Sequence, residues 1–227
     1  DALLENAWFR LGQGIFTTNF LKFDDTIYSA FWLRIELTDF QLSKSQLRLL
    51  KQNSRFQVVI QEAAITEEME ELYRLYKQSI SFDTSESLVK LLYSEPFDKT
   101  IFTTKSVCVY DGEKLIGVGF FDLGKMATEG IVAVYHPDYK RYSLGKYLMI
   151  QKMLYAKNNG FTFFYPGYIA PNYKLFEYKR ELGKGFTFYY NILSKQWERV
   201  ENLRAENFPI TIINQKLTEL TEVLSER

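Results

Sequence analysis

The chain has 227 residues, of which 46% are hydrophobic and 17% aromatic, including 19 Phe and 16 Tyr. This excludes bulk disorder and leaves room for one large domain, or one domain with a smaller module. The 28 Lys and Arg balance 28 Asp and Glu, so any nucleic acid must be met by a local basic patch.

No apolar run approaches the roughly 20 residues of a membrane helix, and no secretory leader opens the sequence. It begins at Asp1 without a Met, so further residues are expected upstream. Cys108, in "SVCVY", is the only cysteine, which excludes an internal disulfide and a cysteine-cluster metal site. A single cysteine suits a reducing cytoplasm, the expected location, and no metal site is expected.

Residues 1–54 mix aromatic strand-like runs ("GIFTTNFLKF", "IYSAFWLRIEL") with the basic segment "SKSQLRLLKQN", a short helix capped by Ser43 or Ser45. "RFQVVIQ" reads as a strand. "TEEMEELYRLYKQSI" reads as a helix capped at Thr66, with Met69, Leu72, Tyr73 and Tyr76 at helical spacing. "SESLVKLLYSE" is a second helix, which Pro96 helps to end. "KSVCVYDGEKLIGVGFFDL" is a hairpin turning at Asp111-Gly112, and "GIVAVYHP" is a third strand. "SLGKYLMIQKMLYAKNNG" reads as the longest amphipathic helix, stopped by Asn158-Asn159-Gly160. "FTFFYPGY" (strand), "NYKLFEYKREL" (helix), "GFTFYYNIL" (strand) and a polar terminal helix follow. The expected divisions are an N-terminal β-rich subdomain at 1–54, an acyl-transfer domain at 55–195 and a helical extension at 196–227.

From Phe56 onward this succession resembles the acetyltransferase (GNAT) superfamily, an α/β (α+β) fold whose mixed sheet splays between its middle strands. There, an Arg/Gln-x-x-Gly-x-Gly/Ala turn before the long helix cradles the coenzyme pyrophosphate on backbone N–H groups. Lys140, Ser143 and Gly145 occupy those positions here. The first glycine is lost, which weakens coenzyme binding. Free N–H groups flanked by Lys140, Arg141 and Lys146 would still accept a phosphate, and the plain alternative is a serine cap on an ordinary helix.

"VYHPDYKRYSLGKYLMIQ", "AWFRLGQGIFTTNF", "LRIELTDFQLSKSQLRLLKQN", "GVGFFDL" and "FYPGYIAPNYKLFEYK" occur in one order along nearly the whole chain. Together they resemble the arginyl/leucyl-tRNA–protein transferases. The resemblance implies a GNAT-like fold and transfer of Arg or Leu from aminoacyl-tRNA to the α-amine of proteins bearing acidic or other destabilising N-termini. Aminoacyl-tRNA would serve as co-substrate, with no further cofactor. An aminoacyl ester is as activated as a thioester, so the donor can change while the scaffold stays. Two departures stand out. The family's cysteine cluster is absent from "LKFDDTIYSAFW", and its Lys-Met before Tyr-Lys is replaced at Leu175-Phe176, which bears on the amino-acid pocket.

Asp122, at the end of "GVGFF", is the expected partner or base for the acceptor amine, against a solvated turn aspartate. Tyr165, Gly167 and Tyr168 would let a ligand approach the backbone and stack on an adenine, with Tyr168 assigned to the chemistry. Buried core aromatics are the alternative, the stronger one for Tyr165. Tyr178 and Lys179 close that segment, the lysine either meeting a phosphate or facing water. Ser43, Lys44, Ser45 and Arg48, with Lys51 and Arg55, form the best nucleic-acid patch, against a merely solvated face. His136, the only histidine, has no counterpart in the family pattern. Two other readings stay open: an acetyl-CoA-dependent N-acetyltransferase, and a catalytically silent tRNA- or degron-binding relative.

Overall fold

A computed structural model describes residues 1–23, 25–82, 84–93, 100–171 and 173–225. After a one-turn helix α1 (Ala2–Glu5) come two small hairpins, β1 (Phe9–Leu11) with β2 (Gly14–Phe16) and β3 (Phe20–Phe23) with β4 (Thr26–Ser29). Next are β5 (Phe31–Glu36), α2 (Lys44–Gln52), β6 (Gln57–Glu62), α3 (Glu67–Gln78) and α4 (Leu88–Tyr93). β7 (Thr104–Asp111), β8 (Lys114–Leu123), β9 (Ala127–Tyr135) and α5 (Leu144–Asn158) follow. β10 (Phe163–Ile169), α6 (Lys174–Glu177), β11 (Thr187–Asn191), β12 (Gln196–Arg199) and α7 (Pro209–Ser225) complete the chain.

From β6 to β11 the elements appear in the expected GNAT-like order. One mixed sheet carries eight strands in the order β12-β11-β5-β10-β9-β8-β7-β6. Among the described residues only the β9–β10 pairing is parallel. Both ends of the chain enter this sheet: β5 lies between β10 and β11, and β12 forms an edge.

Side chains alternate across the sheet. Val107 and Val109 join the core under α2 and α5, while Cys108 between them joins the core under α3 and α4. Burial on both faces explains why β8 reads as a nearly unbroken apolar run. It also pushes the Cys108 thiol pKa up.

Local chemistry sets the helix starts. Ser43, rather than Ser45, caps α2 through a capping box with Gln46, and Thr66 accepts from the Met69 amide. Pro96 lies outside the described residues. Two expectations about α5 need correcting. The terminal helix α7 is longer, 17 residues against 15, and α5 is not amphipathic. Its buried residues (among them Leu144, Leu148, Ile150 and Met153) surround the axis, because sheet, α2 and cleft meet it from different sides. Among them is Lys152, fully buried, whose Nζ donates to the carbonyls of Phe120 (2.9 Å) and Val132 (2.7 Å). Phe120 and Val132 are the pair on one side of a bulge where Ile131 has no opposite residue. Gly119 makes the room, since a Cβ there would fall 2.7 Å from Lys152 Cε. No helix among the described residues is long and apolar enough to cross a membrane.

Candidate active site

β9 and β10 run together only from Phe163 to Tyr165, opposite Ala127 to Glu129. Beyond that point β9 stays with β8, while β10 continues along β5, pairing Gly167 with Leu33 and Tyr168 with Trp32. A register shift before Gly167, whose φ of +87° suits glycine, accompanies the divergence. The fork opens into a cleft of about 840 Å³. Gly130 to Ala133 form one wall and Pro166, Gly167 and Tyr168 the other. Phe9, Phe16 and Trp32 close one side, and Tyr76, Tyr135 and Tyr178 line another.

At the base lie two carboxylates that face each other across the β8–β9 ladder, Asp122 and Glu129. Arg10 Nη1 donates to Asp122 at 2.8 Å and 3.0 Å and to Thr104 Oγ1 at 2.8 Å. Its Nε donates to the Gly12 carbonyl at 2.6 Å and its Nη2 to the Leu92 carbonyl. Thr104 Oγ1 also donates to Asp122, at 2.5 Å. Asp122 is therefore committed to a buried ion pair and does not line the cleft, contrary to its expected role with the acceptor amine. Burial pushes its carboxyl above the usual range, opposed by the Arg10 charge and the Thr104 hydrogen bond.

Glu129 is the carboxylate that does line the cleft. It accepts the Arg10 backbone N–H at 2.9 Å. Burial pushes its pKa up to about 8, with the Arg10 N–H opposing and the neighbouring Asp122 charge adding. A carboxyl that exchanges its proton near neutrality is suited to acid–base work. The apolar run alone starts this strand at Gly130 and so leaves Glu129 in the preceding turn. A lone carboxylate heading that run, "EGIVAVY", is the one local signal of it. Arg10 lies within the motif "AWFRLGQGIFTTNF", yet nothing local marks its partner 112 residues away.

At the mouth, a 3₁₀ turn over Pro137–Tyr142 leads into α5. Ser143 caps both elements in a left-handed conformation, φ 49° and ψ 45°, and its side chain makes no capping hydrogen bond. The turn thus keeps the geometry that a glycine would normally supply, at a cost of about 1–2 kcal/mol. The first amides of α5 are left without a side-chain cap, beside Lys140 and Lys146. Gly145 lets α5 approach β9, since a Cβ there would lie 3.1 Å from the Tyr135 ring.

The remaining expected residues separate into two groups. Tyr168, Gly167, Tyr178, Lys179, Lys140, Ser143, Gly145 and Lys146 share the cleft. Burial raises the phenol pKa of Tyr168 and of Tyr178, and takes Tyr76 up to about 12. Tyr165 instead points into the core with Phe9 and Trp32, as the plainer reading had it. Arg141 lies outside the cleft, exposed, its guanidinium 4.8 Å from the Tyr142 ring. Ser43, Lys44, Ser45 and Arg48 sit on or beside α2, also outside. The far end of α2 nonetheless docks on the mouth: Gln52 donates to the Arg141 carbonyl at 3.2 Å and Asn53 to the Tyr142 carbonyl at 3.1 Å. Lys44, Arg48 and Lys51 are exposed along that helix, so basic side chains run along it towards the cleft.

A family model, arginine-tRNA-protein transferase, C terminus, matches residues 68–188, more than half of the chain. The chain belongs to this family. An aspartate/glutamate leucyltransferase of Leptospira interrogans is 28% identical over 152 residues, 65% of this chain and 59% of that protein. One from Helicobacter hepaticus is 27% identical over 186 residues, 78% of this chain and 74% of that protein. The chain thus spans about 59% of the length of its Leptospira relative. Among solved structures, FemX superposes with a TM-score of 0.51 at 9% identity, over 82% of this chain and 64% of that one, a likeness of fold. Family membership makes the transferase motifs in the sequence coherent with the forked sheet.

Proposed function

We propose that this transferase-family chain moves an amino acid from aminoacyl-tRNA to the N-terminal amine of a protein, and that the amino acid is leucine and the acceptor residue Asp or Glu. The observation that carries the reading is the cleft itself, with Glu129 at its base and a cationic, uncapped helix start at its mouth. An α-amine has an ordinary pKa of about 8, close to that of Glu129. Glu129 takes the proton from the α-ammonium, and the freed amine attacks the carbonyl carbon of the ester. The C–N bond forms, the ester C–O bond breaks, and the ribose oxygen leaves with the proton that Glu129 returns, while the second proton of the attacking nitrogen, lost as the amide forms, passes to solvent.

The aromatic walls suit the terminal adenine and an apolar side chain. Lys140, Lys146 and the amides of α5 suit the last phosphates. A transferred arginine would need a carboxylate for its guanidinium, and Glu129 is the only acidic side chain among the described lining residues. The names of the relatives agree with leucine.

Labelled leucyl-tRNA and arginyl-tRNA, each incubated with peptides bearing N-terminal Asp, Glu or Ala, test this directly. Label is expected on the Asp and Glu peptides from leucyl-tRNA alone. Transfer from arginyl-tRNA only would overturn the leucine assignment. No transfer from either, with saturable acetyl-CoA binding, would replace the reading with an acetyltransferase.

A further inference from the structure

Several cations line the cleft, and most have an evident occupation. Arg10 is consumed by Asp122, Thr104 and two carbonyls. Lys90 pairs with Glu86 at 2.5 Å. Lys140 and Lys146 flank the start of α5. Lys179 differs. It sits in the 3₁₀ turn Tyr178–Glu181 after α6 and reaches back to the β10 wall, where its Nζ donates to the Tyr168 carbonyl at 3.1 Å. The rings of Tyr168 and Phe176 lie 5.3 Å and 5.1 Å from the ammonium. Gly167 provides the space, since a Cβ there would come within 3.3 Å of Nζ.

An ammonium has three donors, and one carbonyl is its only hydrogen-bond acceptor among the described residues. Ring faces attract the charge without neutralising it, and no carboxylate among the described residues pairs with it. Burial accordingly lowers its pKa to about 8. This is a partly buried cation held in place at the cleft wall, and a carboxylate from outside would complete its coordination.

Resting on the proposed transfer reaction, we infer that Lys179 is the residue that reads the acidic side chain of the acceptor's first residue. Glu129, on the β9 side of the fork, faces the α-ammonium, and Lys179, on the β10 side, faces the side-chain carboxylate. An N-terminal Asp or Glu presents one charge of each sign to this pair. An Asn leaves the lysine half-coordinated, and a Lys is repelled by it.

The test compares kcat/KM for matched peptides beginning with Asp, Asn or Lys, with the same charged tRNA, in wild type, Lys179→Met, Lys179→Arg and Lys179→Glu. The Asp-over-Asn preference is expected to fall roughly 10- to 100-fold in Lys179→Met. Lys179→Arg should retain it, and Lys179→Glu should turn the preference towards the Lys peptide. Equal slowing of all three peptides in Lys179→Met, with the Asp-to-Asn ratio intact, overturns the inference and leaves Lys179 a strut for β10. Absence of transfer from any charged tRNA would sink the transferase reading instead. Calorimetric titration of the Asp and Asn peptides then decides the role of Lys179: Asp selectivity that Lys179→Met abolishes upholds it, and equal binding overturns it.

Discussion

At the base of the fork, Arg10, Thr104, Asp122 and Glu129 are all buried, and Arg10 donates from every nitrogen of its side chain. At the mouth, Lys140, Arg141 and Ser143 stand exposed around an uncapped helix start. The base holds charge by internal pairing, whereas the mouth leaves charge and amides for something outside. Desolvation acts at the first and solvent screening at the second, so substitutions at the two ends should differ in kind as well as in size.

The largest effect is expected at Glu129. Glu129→Gln should lower kcat about 10²- to 10⁴-fold. Because the carboxyl is protonated below about 8, wild-type activity should rise with pH through that value, whereas the limb left in Glu129→Gln should be set by the acceptor's α-amine alone and move with the pKa of the peptide used. The same shift enters stability. Native Glu129 holds a proton that the unfolded chain releases near 4.5, so its stabilising contribution is complete below that pH and lost progressively up to about 8. Denaturant melts of Glu129→Gln across that window should show a shallower decline.

Asp122→Ala addresses the other carboxylate of the pair. Leaving Arg10 buried and uncompensated should cost about 3–5 kcal/mol, measured by urea unfolding. Activity corrected for the folded fraction should fall far less than in Glu129→Gln. Equal catalytic losses would erase the distinction between a structural and a chemical carboxylate.

At the mouth, Lys140→Ala with Lys146→Ala should raise the KM for charged tRNA roughly 3- to 10-fold. It should also flatten the salt dependence of binding by about 0.7–0.9 in log–log slope for each phosphate left without its lysine. A filter-binding series in KCl reads both. Smallest is Ser143→Gly, which removes the left-handed strain and should stabilise by about 1 kcal/mol, a rise in Tm of about 2–4 °C. A drop would mean that the hydroxyl contributes more than the backbone conformation costs.

The order of elements from β6 to β11 was legible because periodicity, caps and the Asp111-Gly112 turn are local signals. The mouth was legible for the same reason: Lys140, Ser143 and Gly145 lie on one short stretch. What failed was long-range. A carboxylate ending a strand looks the same whether it faces water or an arginine, so the sequence alone does not show that Asp122 is paired with Arg10 and lies off the cleft. Glu129 carries no strand signal of its own because its strand begins at Ala127, three residues before the apolar run. Regular alternation would put Tyr165 and Tyr168, three residues apart, on opposite faces, and the register shift before Gly167 instead brings Tyr168 against the cluster that holds Tyr165, at its cleft edge.

The position of β5 has a consequence for how the molecule is made. This strand ends at Glu36, yet both of its neighbours, β10 and β11, lie beyond residue 160. A growing chain must carry the apolar run "FWLRI" with both edges unsatisfied until β10 and β11 have been translated, a condition that favours slow maturation and capture by chaperones. A fragment beginning at residue 55 would lose the strand that joins β10 to β11, and with it the rigid backing of the wall that carries Tyr168.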